Sequence, residues 1–342
     1  MKENVIIGAG LSGLICSHYI PSSKIIEKSE KYGGDMKTRQ EIDAYNSNKP
    51  ISDKYTLGLK YLHPCKEFDA LYNDFRLEQK TKKFTSKIFY DGEFRDFNFQ
   101  MPERMRTEYF EKTRKQKAGN VDLDKLKVMN SVKTELIEEG ITNIDALTYC
   151  LKSAADIRQP LSIDYINIDK KEILTDADIT LKYKNLISTI PLPELGHLLH
   201  KNFDLNHTHL YFCALTFDKP VDKGADYIYF PEKEIEFHRV TFQGKTVVAE
   251  ISSEKYGDYA EKVKDRLFEL ELIDASVIST SYHFQEYGHF QYHTETETEL
   301  EEIKNFLSEA NIHTAGRYAN WNHEEKMDST IKNILKLRDE IK

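Results

Sequence analysis

An α/β fold, with a parallel sheet early in the chain and an antiparallel sheet in its second half, is predicted by three observations. The first 27 residues read as strand, glycine turn, helix and strand. The stretches 210–217, 227–230, 236–242 and 246–252 read as successive strands of one antiparallel sheet. Near the end, a short strand at 312–315 runs into Gly316-Arg317 and a closing helix at 328–341, so the chain re-enters its first sheet. Together these make a Rossmann-type unit assembled from separated segments, with a second sheet beside it.

The elements follow in order. Asn4 to Ile7 form an apolar run stopped by glycines, and Leu11 to Ile20 places Leu11, Leu14, Ile15 and Tyr19 on one helical face. After Pro21-Ser22-Ser23, Lys24 to Glu27 makes a second strand that ends on an acid. A helix is expected over 66–76, on Phe68, Leu71, Tyr72 and Phe75, and a hairpin over 84–99 turning at Asp91-Gly92. From about 100 to 150 the chain is charged and helical, with Leu123, Leu126, Met129 and Val132 as one stripe. A strand pair is expected at 163–168 and 179–190, and amphipathic helices at 254–272 and 295–309. The acids between Glu295 and Glu302 suit a solvated first helical turn better than a metal site.

Composition removes whole classes of function. With 57 acidic against 48 basic side chains the net charge is −9, which argues against a nucleic-acid surface. A mean hydropathy of −0.60, with no run of about 18 apolar residues, leaves no membrane-spanning helix to expect. No charged segment followed by a greasy stretch opens the sequence, so a cytoplasmic protein is expected. Cys16, Cys65, Cys150 and Cys213 lie far apart without a CxxC pair, as suits reduced thiols, and no metal site is expected.

The motif with the most chemistry is Gly8-Ala9-Gly10-Leu11-Ser12-Gly13, set between strand and helix, with Glu27 following 19 residues after Gly8. Gly8 allows the tight turn, Gly10 lets backbone approach a pyrophosphate on the helix N-terminus, and Gly13 allows helix and strand to pack closely. Glu27 is placed to accept hydrogen bonds from a ribose, disfavouring a 2′-phosphate. The segment then continues through Lys28 to Gly33-Gly34-Asp35 and Thr38, a second glycine pair that a nicotinamide dehydrogenase has no reason to keep.

Here the sequence resembles the flavin-dependent amine oxidase superfamily, whose pattern is acid, Gly-Gly, then a polar residue and Thr beside the isoalloxazine. Gly316-Arg317 and the run Met327-Asp328-Ser329 resemble the same superfamily's C-terminal flavin segment, most closely the branch of protoporphyrinogen-oxidase-like proteins and UDP-galactopyranose mutase. Gly58 to His63 and Ile235 to Val240 extend the resemblance, and Arg239 matches an arginine that contacts the substrate diphosphate in the mutase. Lys60 stands in place of the mutase's first histidine, Asp35 where Arg or Asn is usual, and Phe290-Gln291 where Tyr-Pro is usual. About 60 residues separate Phe99 from Gln159, which implies a shortened helical insertion.

The resemblance implies a glutathione-reductase-like α/β fold with an FAD-binding Rossmann-type domain and an antiparallel-sheet substrate domain. The FAD part is expected at 1–65, 160–200 and 305–342, and the substrate side at 66–159 and 201–304. Expected cofactor contacts are Gly8, Gly10, Leu11, Ser12, Gly13, Glu27, Lys28, Gly33, Gly34, Asp35, Thr38, Gly316, Arg317, Met327, Asp328 and Ser329. Lys60, His63 and Arg239 are the expected catalytic residues.

Each of those three has a second reading. Lys60 is either a surface lysine or a group near flavin N5 that holds water or takes a proton. Arg239 either pairs with a carboxylate or faces an anion, and His63 could equally be a core histidine. The aromatic runs at 282–287 and 290–293 either wall a cavity or fill strand core. The expected activity is hydride transfer from a small C–H or C–N substrate to FAD. The alternative is a reduced-flavin nucleotide-sugar mutase with a phosphorylated substrate.

Overall fold

β1 (Glu3–Ile7) buries Val5, Ile6 and Ile7, because an apolar run with helices over both faces has no solvent side. The computed structural model describes residues 3–40, 50–96, 102–114, 139–253, 259–274, 276–291 and 296–341. β1 lies parallel between β2 (Ser23–Ile26) and β10 (Thr180–Ser188). β7 (Asp156–Arg158) extends the sheet beyond β2, and β16 (Ile312–Thr314) pairs parallel with the end of β10. The parallel order β7-β2-β1-β10-β16 reverses direction between β1 and β10, which opens a crevice at the carboxyl ends of those strands.

Helices cover both faces. On one, α1 (Leu11–Tyr19), α2 (Lys66–Asp74), α4 (Ile144–Ala154) and α8 (Met327–Glu340) share a core with Ile6 and Ile187. On the other, α5 (Leu192–Leu198) and α7 (Thr296–Glu309) pack on Val5, Ile7 and Leu186. Leu300, Ile303 and Leu307 supply α7's buried stripe at helical spacing, each worth roughly 1.5–3 kcal/mol when fully buried. Within the stretches expected to form the substrate side, α2, α4 and α7 thus pack on the parallel sheet.

The second sheet runs β15 (Val277–Gln285), β11 (His209–Phe217), β14 (Thr246–Ser253), β13 (Arg239–Gln243), β12 (Tyr227–Tyr229), β4 (Ser86–Tyr90) and β5 (Glu93–Asp96). α6 (Ala260–Glu269) covers one face with Val263 and Leu267, while Tyr55 and Leu57 pack on the other against Leu210 and Val248. β3 (Thr81–Lys83) and β6 (Glu139–Ile141) form a small separate pair, and α3 (Glu103–Arg114) leans on β14.

Three expectations need correction. The strands at 163–168 and 179–190 do not pair directly, because β9 (Glu172–Thr175) lies between β8 (Ile163–Asn167) and β10. The second sheet is not wholly antiparallel, since β12 pairs parallel with β4. The strand expected from Glu236 begins only at Arg239. The stripe Leu123, Leu126, Met129 and Val132 lies outside the described residues. Among the described residues no helix is long and apolar enough to cross a membrane.

Candidate active site

The turn after β1 is held by contact so close that only glycine fits at its far end. A Cβ on Gly13 would lie 1.9 Å from the carbonyl oxygen of Gly8, so α1 approaches β1 with no room for a side chain. α1 starts at Leu11 with no side-chain cap and no acid in its first turn. Glu27, just past β2, accepts hydrogen bonds from the backbone N–H of Ala9 at 2.7 Å and of Ser29 at 2.8 Å. The carboxylate is therefore fixed beside the glycine turn. The second glycine pair closes against the first: Gly33 N–H donates to Ala9 O at 2.8 Å. A cavity of about 840 Å³ opens from this crevice and reaches the second sheet.

At its other end the cavity meets the C-terminal segment. Arg317 Nε donates to Glu325 O at 2.9 Å, and the buried Glu325 carboxylate accepts from Asn320 at 2.7 Å and Thr330 at 3.0 Å. Of the expected cofactor contacts, five do not line the cavity. Gly13 and Gly316 sit in close packing behind it. Thr38 donates to Asp145 on α4, Asp328 lies 3.9 Å from Lys332, and Ser329 caps α8 by accepting from Lys326 N–H at 3.0 Å. The remaining eleven line it. Lys28 does so while ion-paired to Glu194 on α5 at 2.6 Å.

Lys60, His63 and Arg239 all reach the same cavity. Lys60 has no hydrogen bond or ion pair among the described residues. Burial pushes its pKa down; Asp35 and Glu250 pull it partly back, while Arg239 and Arg317 add to the fall. Arg239 is held in a bidentate pair by Glu250, Nε to Oε1 at 2.6 Å and Nη2 to Oε2 at 2.8 Å. Burial works against the guanidinium's charge, but the charge and hydrogen bonds of Glu250 outweigh it and hold the pKa well above the ordinary arginine value. The pair requires Gly58, whose φ is +72° and whose Cβ would lie 2.6 Å from Glu250 Oε1. The carboxylate pairing read as one alternative for Arg239 is thus present, and the paired side chain lines the cavity. His63 lies edge-on to Tyr61 at 5.0 Å.

Beyond the run 282–287, which holds Gln285, several lining or supporting residues were not read from sequence. Gln285 Nε2 lies within hydrogen-bond distance of Asp35 Oδ2, Tyr287 O and Tyr318 Oη, tying the second glycine turn to the end of β15. Tyr109 on α3 packs edge-on against Tyr229 at 5.5 Å, and His289 and His323 add two imidazoles to the wall. Of the aromatic run, Tyr282 and Phe284 are about half exposed on β15, whereas Tyr287 lines the cavity. A lone acid in the apolar run Val247 to Ile251 was the available signal for Glu250.

No protein-family model matches the sequence, and no curated protein matches it. Solved structures do. Reduced UDP-galactopyranose mutase aligns over 100% of this chain and 94% of its own at 16% identity, with a TM-score of 0.77. A CLA-producing fatty acid isomerase from P. acnes aligns over 99% and 98% at 13% identity, TM-score 0.71. Putrescine oxidase bound to putrescine aligns over 99% and 98% at 12% identity, TM-score 0.62. The chain shares the fold of these three structures, a Rossmann-type α/β domain with a second sheet.

Proposed function

We propose that the chain is an FAD-dependent oxidoreductase that takes a hydride from a small C–H or C–N substrate, amine-like in kind. The observation that carries this reading is the continuity of one cavity from an uncapped helix N-terminus and a fixed carboxylate to Lys60, which has no partner among the described residues. FAD fits the residues present. The leading amides of α1 and the positive end of its dipole suit a pyrophosphate. The two oxygens of Glu27 offer about four acceptor positions, of which Ala9 and Ser29 use two, leaving acceptors for ribose hydroxyls.

When bound, FAD supplies the redox step by accepting the hydride at N5. The chain's own share is binding, orientation and proton handling. Gly8, Gly10, Leu11, Ser12, Glu27 and Lys28 hold the adenosine and pyrophosphate. Gly33, Gly34, Asp35, Arg317 and Met327 take the isoalloxazine end, where the start of α8 adds its positive dipole end. The parallel sheet and its helices form the cofactor side, and the second sheet with α3 forms the substrate wall. Lys60, with its pKa lowered, takes a proton from a protonated amine or holds a water, and His63 and Arg239 complete the wall.

The full-length likeness to the mutase and the exposure of Arg239 to the cavity favour a second reading, a reduced-flavin isomerase of a nucleotide sugar. Glu250 weighs against it, because the guanidinium's charge is already matched before a diphosphate arrives. Anaerobic mixing of the FAD-loaded chain with a panel of small amines separates the two. Bleaching of the flavin band without dithionite is expected, with Lys60→Met slowing it roughly 100-fold while FAD stays bound. Ring interconversion of a nucleotide sugar only after dithionite, with no bleaching by any amine, would promote the isomerase.

A further inference from the structure

α3 is fastened to the molecule in an unusual way. Met105, Tyr109, Lys112 and Thr113 share its inner face at helical spacing, yet only Met105 is aliphatic, packed with Ile88 and Tyr90. Lys112 is 7% exposed, and its ammonium donates to three backbone carbonyls: Phe230 and Glu232 at 2.7 Å and Phe237 at 2.6 Å. All three belong to the irregular segment between β12 and β13. An ammonium has three N–H donors, so these three acceptors match them in number, as a buried charge requires. One residue on, the Thr113 carbonyl accepts from the hydroxyls of Thr208 and Ser252.

That segment delivers the site. Phe230 N–H donates to His238 O at 3.0 Å, and β13 then begins at Arg239, paired with Tyr229 on one side and Glu250 on the other. From α3, Tyr109 packs on Tyr229 and at 6.0 Å on His238. We propose that Lys112 is a positioning residue, a resident cation in a three-carbonyl cage that pins the Phe230–His238 segment to α3 and thereby sets Tyr109, Tyr229 and the Arg239–Glu250 pair as one wall of the cavity. Without it the three carbonyl dipoles face one another, an arrangement that backbone carbonyl cages elsewhere satisfy with a monovalent cation.

The cage makes its own test. Lys112→Ala empties it, whereas Lys112→Met fills it with an uncharged chain of similar length. Hydrogen exchange resolved by peptide is expected to be about tenfold faster over 230–238 and α3 in both variants, the equivalent of one charge-assisted hydrogen bond, with β1 and α1 unchanged. Ammonium chloride should restore slow exchange to Lys112→Ala but not to Lys112→Met, and tetramethylammonium chloride at equal ionic strength should restore neither. Should Lys112→Ala fail to fold, recovery on refolding in ammonium but not in tetramethylammonium is the expected result. Parent-like exchange over 230–238 in Lys112→Ala would overturn the proposal, and so would ammonium acting no better than tetramethylammonium. None of these readouts uses flavin, so the wall and the flavin reading stand or fall separately.

Discussion

Glu250 sits in β14 between Ala249 and Ile251, and the register of β13 on β14 places it opposite Arg239. A buried carboxylate with a bidentate guanidinium is stable as a pair and costly to break from either side. Its neighbour His238 is 2% exposed, with its Nε2 3.9 Å from Glu250. Burial, then the charges of Arg239 and Lys112, press its pKa well below the ordinary value. Unfolded, the imidazole takes up a proton near its usual pKa of about 6.5; folded, it resists. Stability from this site is therefore intact above that pH and declines as pH falls below it. Melting temperatures at about pH 7.5 and about pH 5.5, on either side of the free imidazole value, should drop less in His238→Gln than in the parent. An equal drop in both would show that His238 is not the responsible group. Arg239 was legible only as a choice between carboxylate and anion, because a sequence does not state which strands pair or in what register. Lys60 was legible only through the family pattern, since a lysine beside apolar residues reads equally as surface.

At the scale of elements, the β1-turn-α1 unit was readable almost to the residue because its signals are local: an apolar run, glycines where side chains clash, and an acid closing β2. Gly13→Ala places a methyl against the Gly8 carbonyl, and nothing flexible can yield there. The expected outcome is loss of folded protein, or a folded chain that no longer retains FAD, seen by circular dichroism and bound absorbance. A variant with parent-like melting and FAD content would mean that α1 can shift away from β1. Elements decided by distant partners were less legible. β9 is four residues between charged turns, too short for a periodic signal, and is a strand because β8 and β10 flank it. β12 lies beside β4, about 140 residues earlier in the chain, and no local pattern carries that pairing.

On the scale of the whole molecule, the chain crosses between its two sheets repeatedly, and the cavity lies where the crossings converge. Gly8 with Glu27, Lys60, Arg239 and Arg317 come from four well-separated parts of the sequence and line one space. The fold class, both glycine turns and the C-terminal return were visible in the sequence because each repeats a pattern tied to backbone geometry. The cavity wall of Tyr109, Tyr229 and His289 was not, because its members share no spacing and meet only through sheet pairing and the packing of α3. The central claim is that this one space holds FAD. Titration of the chain, stripped of bound small molecules, with FAD at a fixed low concentration measures it directly. The account predicts saturable binding of one FAD per chain, released intact on denaturation with a band near about 450 nm, and weakened by roughly tenfold or more in Glu27→Gln through loss of a charge-assisted contact. A chain that melts cooperatively yet takes up no FAD, or binds it equally well without the Glu27 carboxylate, would contradict it.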